Sequence, residues 1–150
     1  MFERCALGNE DGELDINISE NSVSSSLMKV MDSHTNSESG ARIKSTEKTK
    51  VYKLDSISDK FLNNYKNIYL KIDTQGYEDI VLDGAKDTLQ RIKGIEAEMS
   101  IIKLYEGQKL YLNIIERLNK LGFILMSVEP AFTDKKSGRL LQVNGIFYRE

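Results

Sequence analysis

The second half of the chain alternates between apolar runs and segments with helical periodicity. Four short apolar runs are typical of buried strands and lie at residues 68–72, 95–102, 123–128 and 140–148. Between them, apolar residues that recur every three or four positions predict two helices, at residues 77–92 and 108–121. The order strand, helix, strand, helix, strand, strand favours an α/β fold with a parallel core. Only a loop separates the last two strands, so we expect them to be antiparallel.

The first 19 residues predict a β-hairpin. Residues 2–8 have the composition of a strand that ends at a glycine, and Asp11-Gly12 is a signal for a tight turn. Beyond that turn, apolar and polar residues alternate over residues 14–18, which indicates a half-buried strand. We therefore predict a hairpin from Arg4 to Ser19.

A polar stretch then interrupts the pattern. Residues 19–49 are rich in Ser, Thr and Asn, and we predict a long loop region with about one and a half turns of helix over residues 27–31. Val51, Tyr52 and Leu54 predict a further strand, and residues 61–65 a short helix.

Composition narrows the class of protein. A chain of 150 residues predicts one domain, and its net charge of -2 argues against a nucleic-acid partner. The longest apolar runs are far shorter than a membrane span, so no membrane contact is expected. The single cysteine, Cys5, suits a reducing compartment, and we expect a cytoplasmic protein. His34 is the only histidine and lies in a polar stretch, so neither a histidine-rich metal site nor a Ser-His-Asp relay is expected; no metal site is predicted.

Asp73 is the strongest candidate for a catalytic residue. It follows the predicted strand 68–72 directly, and ligands of open α/β sheets bind beyond the carboxyl ends of the strands. A carboxylate there could accept a proton or hydrogen-bond a ligand. Asp73 could equally cap the helix that follows.

Glu98 is the second candidate. It interrupts an otherwise apolar strand and shares a face with Glu96, because side chains alternate along a strand. A charge in a central strand is costly unless it is paired, so Glu98 is either a site residue or the partner of Lys71 or Lys103.

Polar residues in the flanking loops are candidates for binding the substrate. The loop that contains Tyr105 and Gln108 follows the strand of Glu98 and could close over a ligand. Ser25 and Ser26 could offer hydroxyl groups, and Gln75 lies in the turn after Asp73. Each of these residues could also belong to an ordinary polar loop.

An ordered set of short motifs resembles the FkbM family of S-adenosylmethionine-dependent methyltransferases. The most specific piece is Leu70-Lys71-Ile72-Asp73-Thr74-Gln75-Gly76-Tyr77-Glu78, followed by Val81-Leu82-Asp83-Gly84-Ala85. The other matching segments, in chain order, are Ala6 to Glu13, Ser24 to Leu27, Lys53 to Ile57, Glu96 to Glu98, Leu104 to Gln108, Gly122-Phe123 and Gly138 to Phe147. The resemblance covers nearly the whole chain.

The resemblance implies a Rossmann-like methyltransferase sheet, mostly parallel, with an antiparallel C-terminal strand. It also implies methyl transfer from S-adenosylmethionine to a hydroxyl group of a sugar or another small molecule. By the same analogy Asp73 lies near the transferred methyl group, and Gly8 and Asn9 lie near the adenine of the cofactor.

The chain departs from the family at its start. Family members carry an earlier strand, a glycine-rich loop and a second strand that bind the rest of the cofactor, and residues 1–150 hold no counterpart of them. The resemblance therefore implies a partial domain, with N-terminal strands missing, that a complementing N-terminal segment or a homo-oligomer would complete. A non-catalytic fragment or pseudoenzyme module that retains half of the fold is the alternative.

Overall fold

The computed structural model describes residues 2–149 as an α/β fold with two mixed sheets. The strands are β1 (Ala6–Leu7), β2 (Gly12–Ser19), β3 (Ile43–Tyr52), β4 (Ile68–Ile72), β5 (Ile92–Ser100), β6 (Ile124–Thr133) and β7 (Leu140–Tyr148). The α-helices are α1 (Asp32–Ser37), α2 (Leu54–Ile57), α3 (Asp59–Leu62), α4 (Glu78–Asp83) and α5 (Tyr111–Lys120). Short 3-10 turns lie at Ser39–Ala41 and Thr88–Arg91.

The four-stranded sheet has the order β4-β5-β7-β6. Strands β4 and β5 are parallel, with Leu70 opposite Ile95 and Ile72 opposite Ala97. Strand β7 inserts between β5 and β6 and is antiparallel to both. The predicted parallel pair and the predicted antiparallel last strand are therefore confirmed. The expectation of a mostly parallel sheet is not met within residues 2–149, because β4 and β5 form the one parallel pair of this sheet and its other two pairs are antiparallel.

The main hydrophobic core lies between this sheet and helices α4 and α5. Ile95 and Phe147 from the sheet, and Leu82 and Leu118 from the helices, are completely buried. Burying side chains of this kind is the largest favourable contribution to folding, so the core fixes where the carboxyl ends of β4 and β5 lie.

The predicted N-terminal hairpin is wrong. Strand β3 lies between β1 and β2, parallel to the first and antiparallel to the second. The carboxylate of Asp11 accepts hydrogen bonds from the backbone N–H of Lys53 (2.7 Å) and from the hydroxyl of Ser56 (2.7 Å). The Asp-Gly segment thus connects to the start of α2 instead of closing a two-residue turn.

The region 19–49 is more ordered than its composition indicates. The predicted helix over residues 27–31 is absent, and helix α1 begins at Asp32 instead. Val30 forms an isolated bridge with Tyr105, which draws this segment into an extended conformation. Strand β3 also begins within the region, at Ile43, although its exposed residues show no apolar alternation.

The predicted helix over residues 77–92 is interrupted at Gly84. Helix α4 ends at Asp83, and a 3-10 turn begins at Thr88. A Cβ atom at Gly84 would lie 1.9 Å from the carbonyl oxygen of Gly8, so the absence of a side chain lets this position meet the end of β1. Gly84 therefore packs directly against the backbone that follows β1.

Other boundaries shift by a few residues. Strand β3 ends at Tyr52 and Leu54 begins a helix, whereas we predicted that Leu54 belongs to the strand. Strand β6 continues through Pro130, which is tolerated because β6 lies at the edge of its sheet. No helix within residues 2–149 is both long and apolar enough to span a membrane.

Candidate functional site

The turn between β4 and α4 is held by a buried carboxylate. Glu78 Oε1 accepts hydrogen bonds from the backbone N–H groups of Thr74 (3.0 Å) and Gly76 (3.0 Å) and from the Thr74 hydroxyl (3.2 Å). Gln75 and Gly76 have positive φ angles of 54° and 96°, a conformation that costs a side-chain-bearing residue free energy. Glu78, rather than Asp73, therefore satisfies the backbone donors of the turn, and Asp73 is left for another role.

Asp73 and Glu98 meet at the carboxyl edge of the two parallel strands. The side-chain amide nitrogen of Gln75 donates to Asp73 Oδ1 (2.7 Å) and to Glu98 Oε2 (3.0 Å). Glu98 Oε2 also accepts from Gln142 Nε2 (2.8 Å). Lys71, one of the two lysines that could have paired with Glu98, instead forms an ion pair with Glu96 (3.1 Å).

The electrostatic environment favours the protonated form of Glu98. Burial, followed by the negative charges of Asp73 and Glu78, raises the pKa of Glu98 to about 7. A group with this pKa can accept a proton from a ligand at physiological pH.

Tyr105 fixes the other end of Gln75. Its hydroxyl group lies 3.0 Å from Gln75 Oε1 and 3.0 Å from the carbonyl oxygen of Ser24, and its single hydrogen can be donated to either oxygen. Burial raises the pKa of Tyr105, so the phenol stays protonated and remains a donor. The hydroxyl group of Ser26 donates to the backbone carbonyl of Gln75 (2.8 Å). Three of the predicted substrate-binding residues, Gln75, Tyr105 and Ser26, thus form one hydrogen-bonded unit around Asp73 and Glu98.

A cavity of about 280 Å³ opens on this unit, and we call it the carboxylate cavity. Its lining comprises Asn21, Val23, Ser24, His34, Glu38, Asp73, Gln75, Glu98, Phe132 and Gln142. Acidic and amide groups dominate the lining, with Phe132 as an aromatic wall. A cavity of this size holds a molecule smaller than a typical drug.

The predicted cofactor residues do not share one cavity. Gly8 is buried at the end of β1, and its N–H donates to the carbonyl of Tyr52 (2.9 Å). Asn9 lines a separate cavity of about 350 Å³ beside Tyr77. Ser25 and Ser26 line a third, of about 320 Å³, which also contains Tyr77. A further cavity of about 460 Å³ between α4 and α5 contains no predicted site residue.

Gln108 lies behind the site. Its side-chain oxygen accepts from the backbone N–H groups of Leu104 and Tyr105, and its nitrogen donates to Ser100 Oγ (2.9 Å). Gln108 is buried, so its contacts hold the loop that carries Tyr105. Its predicted role in binding the substrate stays a prediction.

Sequence reasoning missed His34 and Gln142 as residues of the carboxylate cavity. Gln142 lies opposite Ser100 in the β5–β7 ladder, so its position follows from the pairing of strands far apart in sequence. His34 arrives through helix α1, in a region that composition assigned to a loop. The amide side chain of Gln142 within a predicted strand was the only signal in the sequence that pointed to either residue. Among residues 2–149 no three side chains of His, Cys, Asp or Glu gather in a metal-binding arrangement.

Comparison with known proteins gives one match. No curated protein and no solved structure matches the chain. The model of the methyltransferase FkbM domain matches residues 1–125, which is most of the chain. This match contains the turn after β4, Asp73, Gln75, Glu98 and the loop of Tyr105, all at the site described above. The chain therefore belongs to the FkbM methyltransferase family.

Proposed function

We propose that the protein is an S-adenosylmethionine-dependent methyltransferase that methylates a hydroxyl group of a small molecule, possessing Asp73 and Glu98 as its functional carboxylates. One observation carries the proposal: the two carboxylates converge at the carboxyl edge of parallel strands, on one cavity, within a methyltransferase domain. The acceptor is proposed to be a saccharide or another polyhydroxylated compound. The single free thiol supports a cytoplasmic location.

The donor groups present fit part of the cofactor. S-adenosylmethionine supplies, when bound, an electrophilic methyl group on a positively charged sulfur. The exposed carboxylate of Asp73 suits a cationic group. The cavity of about 320 Å³ that Ser25 and Ser26 line has apolar walls and serine hydroxyls, which suit an uncharged ring. Gly8 and Asn9 lie beside the same part of the fold, and we propose that this region holds the adenine.

Glu98 would act on the acceptor. In its ionised form it takes the proton of the acceptor hydroxyl while the oxygen becomes methylated, and its pKa of about 7 suits that role. Gln75 and Gln142 orient the Glu98 carboxylate through their amide nitrogens. Asp73, which Gln75 bridges to Glu98, adds a second carboxylate that can hydrogen-bond the acceptor. Positioning of this kind is the main contribution that a protein makes to methyl transfer.

The edges of the two sheets support a completing segment. Within residues 2–149, β1 and β4 each lie at the end of their sheet and have one neighbouring strand. An open strand edge pairs readily with another chain segment. We propose that an N-terminal segment or a second copy of the chain adds strands there and supplies the remaining cofactor contacts.

The proposal is tested by cofactor binding and methyl transfer. Full-length protein is titrated with S-adenosylmethionine in a calorimeter and then assayed with methyl-labelled cofactor and a panel of hydroxylated acceptors. We expect Glu98→Gln to lower kcat about 10²–10⁴-fold, as loss of a general base does. Wild-type activity should rise with pH through about 7, where Glu98 ionises.

Glu96→Gln is the matched control. Glu96 lies two residues away on the same strand and pairs with Lys71 instead of lining the carboxylate cavity. We expect this variant to keep wild-type activity. Full-length protein that fails to bind S-adenosylmethionine would refute the enzyme and favour a non-catalytic module.

A further inference from the structure

The imidazole of His34 is buried in the wall of the carboxylate cavity without a polar partner. The residue is 3% exposed, and Nδ1 has no hydrogen-bond partner among the described residues. Its ring makes an edge-on contact with Tyr105 (5.2 Å between centroids) and a tilted contact with Phe132 (5.6 Å). Buried polar atoms are normally hydrogen-bonded, and an unpaired one at a cavity calls for an explanation.

His34 shares its cavity with acidic residues. Glu38, Asp73 and Glu98 line the same cavity, and none of its described lining residues is Lys or Arg. Burial lowers the pKa of His34, with the charge of Glu38 acting in the opposite direction, so the ring is neutral near pH 7. A neutral imidazole offers one donor and one acceptor, which matches the two roles of a hydroxyl group.

We propose that His34 is a third ligand-binding group of this cavity, which hydrogen-bonds a hydroxyl of an uncharged polyol and, with the three carboxylates, excludes anionic ligands. The inference rests on the proposed function for the reaction that follows binding, but the binding itself does not require methyl transfer. Phe132 provides an apolar surface against which the carbon face of such a ligand can pack.

The selectivity follows from charge. A ligand that carries a carboxylate or phosphate would place a like charge beside the carboxylates of Glu38 and Asp73, and beside Glu98 where that residue is ionised. Like charges across a partly buried contact disfavour binding. An uncharged polyol avoids this repulsion. Its hydroxyl groups can hydrogen-bond the carboxylates and the imidazole.

Because His34 is the only histidine, its ring resonances can be followed by NMR without assignment. The wild-type chain is titrated with methyl α-D-glucopyranoside and, separately, with D-glucuronate, which has a similar ring and a negative charge. We expect the neutral glycoside to shift the His34 resonances saturably and glucuronate to bind at least about tenfold more weakly. No saturable shift with the glycoside, or equal binding of glucuronate, would overturn the inference.

Two variants separate binding from packing. His34→Phe keeps an aromatic ring against Tyr105 and Phe132 but removes both nitrogens, so we expect an unchanged or higher Tm and loss of glycoside binding, followed at the side-chain amides of Gln75 and Gln142. If this variant does not fold, His34→Gln keeps a hydrogen-bonding amide and should retain part of the binding. Asn36→Ala, at an exposed position of the same helix, should bind like wild type.

The outcomes also separate this inference from the proposed function. Methyl transfer by a protein whose His34 resonances ignore the glycoside would refute the role of His34 and leave the methyltransferase standing. A His34 response in a full-length protein that does not bind S-adenosylmethionine would refute the methyltransferase and leave a polyol-binding cavity.

Discussion

Glu98 shows how the surroundings of one side chain set its chemistry. The same strand carries Glu96, two residues earlier on the same face, and Lys71 neutralises that residue. Glu98 accepts hydrogen bonds from the amides of Gln75 and Gln142 and has Asp73 as its neighbour. Two identical residues on one face of a strand therefore differ in electrostatic environment because their partners differ.

The raised pKa of Glu98 predicts a pH-dependent stability. The folded state holds the proton more tightly than the unfolded chain, where the pKa is near 4.5, so ionisation costs stability as the pH rises from there through about 7. We expect this residue to lower the free energy of unfolding by up to about 3 kcal/mol across that window. Glu98→Gln should remove this loss, as measured by urea unfolding at about pH 5 and about pH 8. Glu96→Gln should keep the wild-type dependence of stability on pH. If Glu98→Gln also kept it, the assignment of a raised pKa to Glu98 would be contradicted.

At the residue scale, the sequence identified Asp73 and Glu98 as candidates. It did not identify Glu78, whose contacts with the turn leave Asp73 available for another role. Acidic residues after and within apolar strands are unusual enough to be noticed. Glu78 lies in the first turn of a helix, where a negative charge has an ordinary explanation in the helix dipole. Its burial and its three contacts to the turn depend on the tertiary packing, which a single sequence does not show.

At the scale of elements, the contact between Gly84 and Gly8 joins the two halves of the fold. Gly84 ends α4 and Gly8 follows β1, and their approach leaves no room for a side chain. The backbone N–H of Asp55 donates to the carbonyl of Gly84 (3.0 Å), which fixes the start of α2 at the same point. The position of the N-terminal strand relative to the site therefore depends on one glycine.

Gly84→Ala is expected to destabilise the fold. The new methyl group would have to move the Gly8 backbone, and overpacking of this kind costs about 1–3 kcal/mol. Gly12→Ala is the control, because a Cβ atom there has no neighbour within 4 Å. Thermal unfolding of both variants measures the difference, and equal Tm values would show that the contact is looser than described.

Elements with strong periodicity were predictable, and elements defined by distant partners were not. Strands β4, β5 and β7 and helix α5 follow from apolar runs and helical spacing. Strand β3 was missed over most of its length because its side chains are largely exposed and carry no alternation. Its identity comes from its ladder with β2, a partner more than twenty residues away in sequence.

At the scale of the whole molecule, the two sheets differ in how they are stabilised. Strands β5 and β7 lie inside the four-stranded sheet, and their residues Ile95, Ala97 and Phe147 are completely buried. The first four residues of β2 are exposed, as are two of the four β3 residues that pair with them, Lys48 and Lys50. A contiguous buried core and an exposed two-stranded ribbon are expected to open with different free energies.

Hydrogen exchange should resolve this difference. We expect the backbone amides of β5 and β7 to exchange most slowly, near the rate set by global unfolding, and those of residues 13–15 and 47–50 to exchange faster. Mass spectrometry of peptides from both sheets gives the comparison. Equal protection of the ribbon and the central strands would show that the two sheets unfold as one unit.

The side-chain amide of Gln75 hydrogen-bonds both of the carboxylates that we propose to be functional. Because this amide is tethered a few ångströms from them, it competes at a high effective concentration with any ligand that needs the same oxygens. A guest molecule must therefore displace an internal ligand, and only one that replaces both hydrogen bonds recovers what is lost. Compounds with one hydrogen-bond donor, such as simple alcohols, are therefore at a disadvantage, and the internal contact of Gln75 sets a minimum strength for binding at the site.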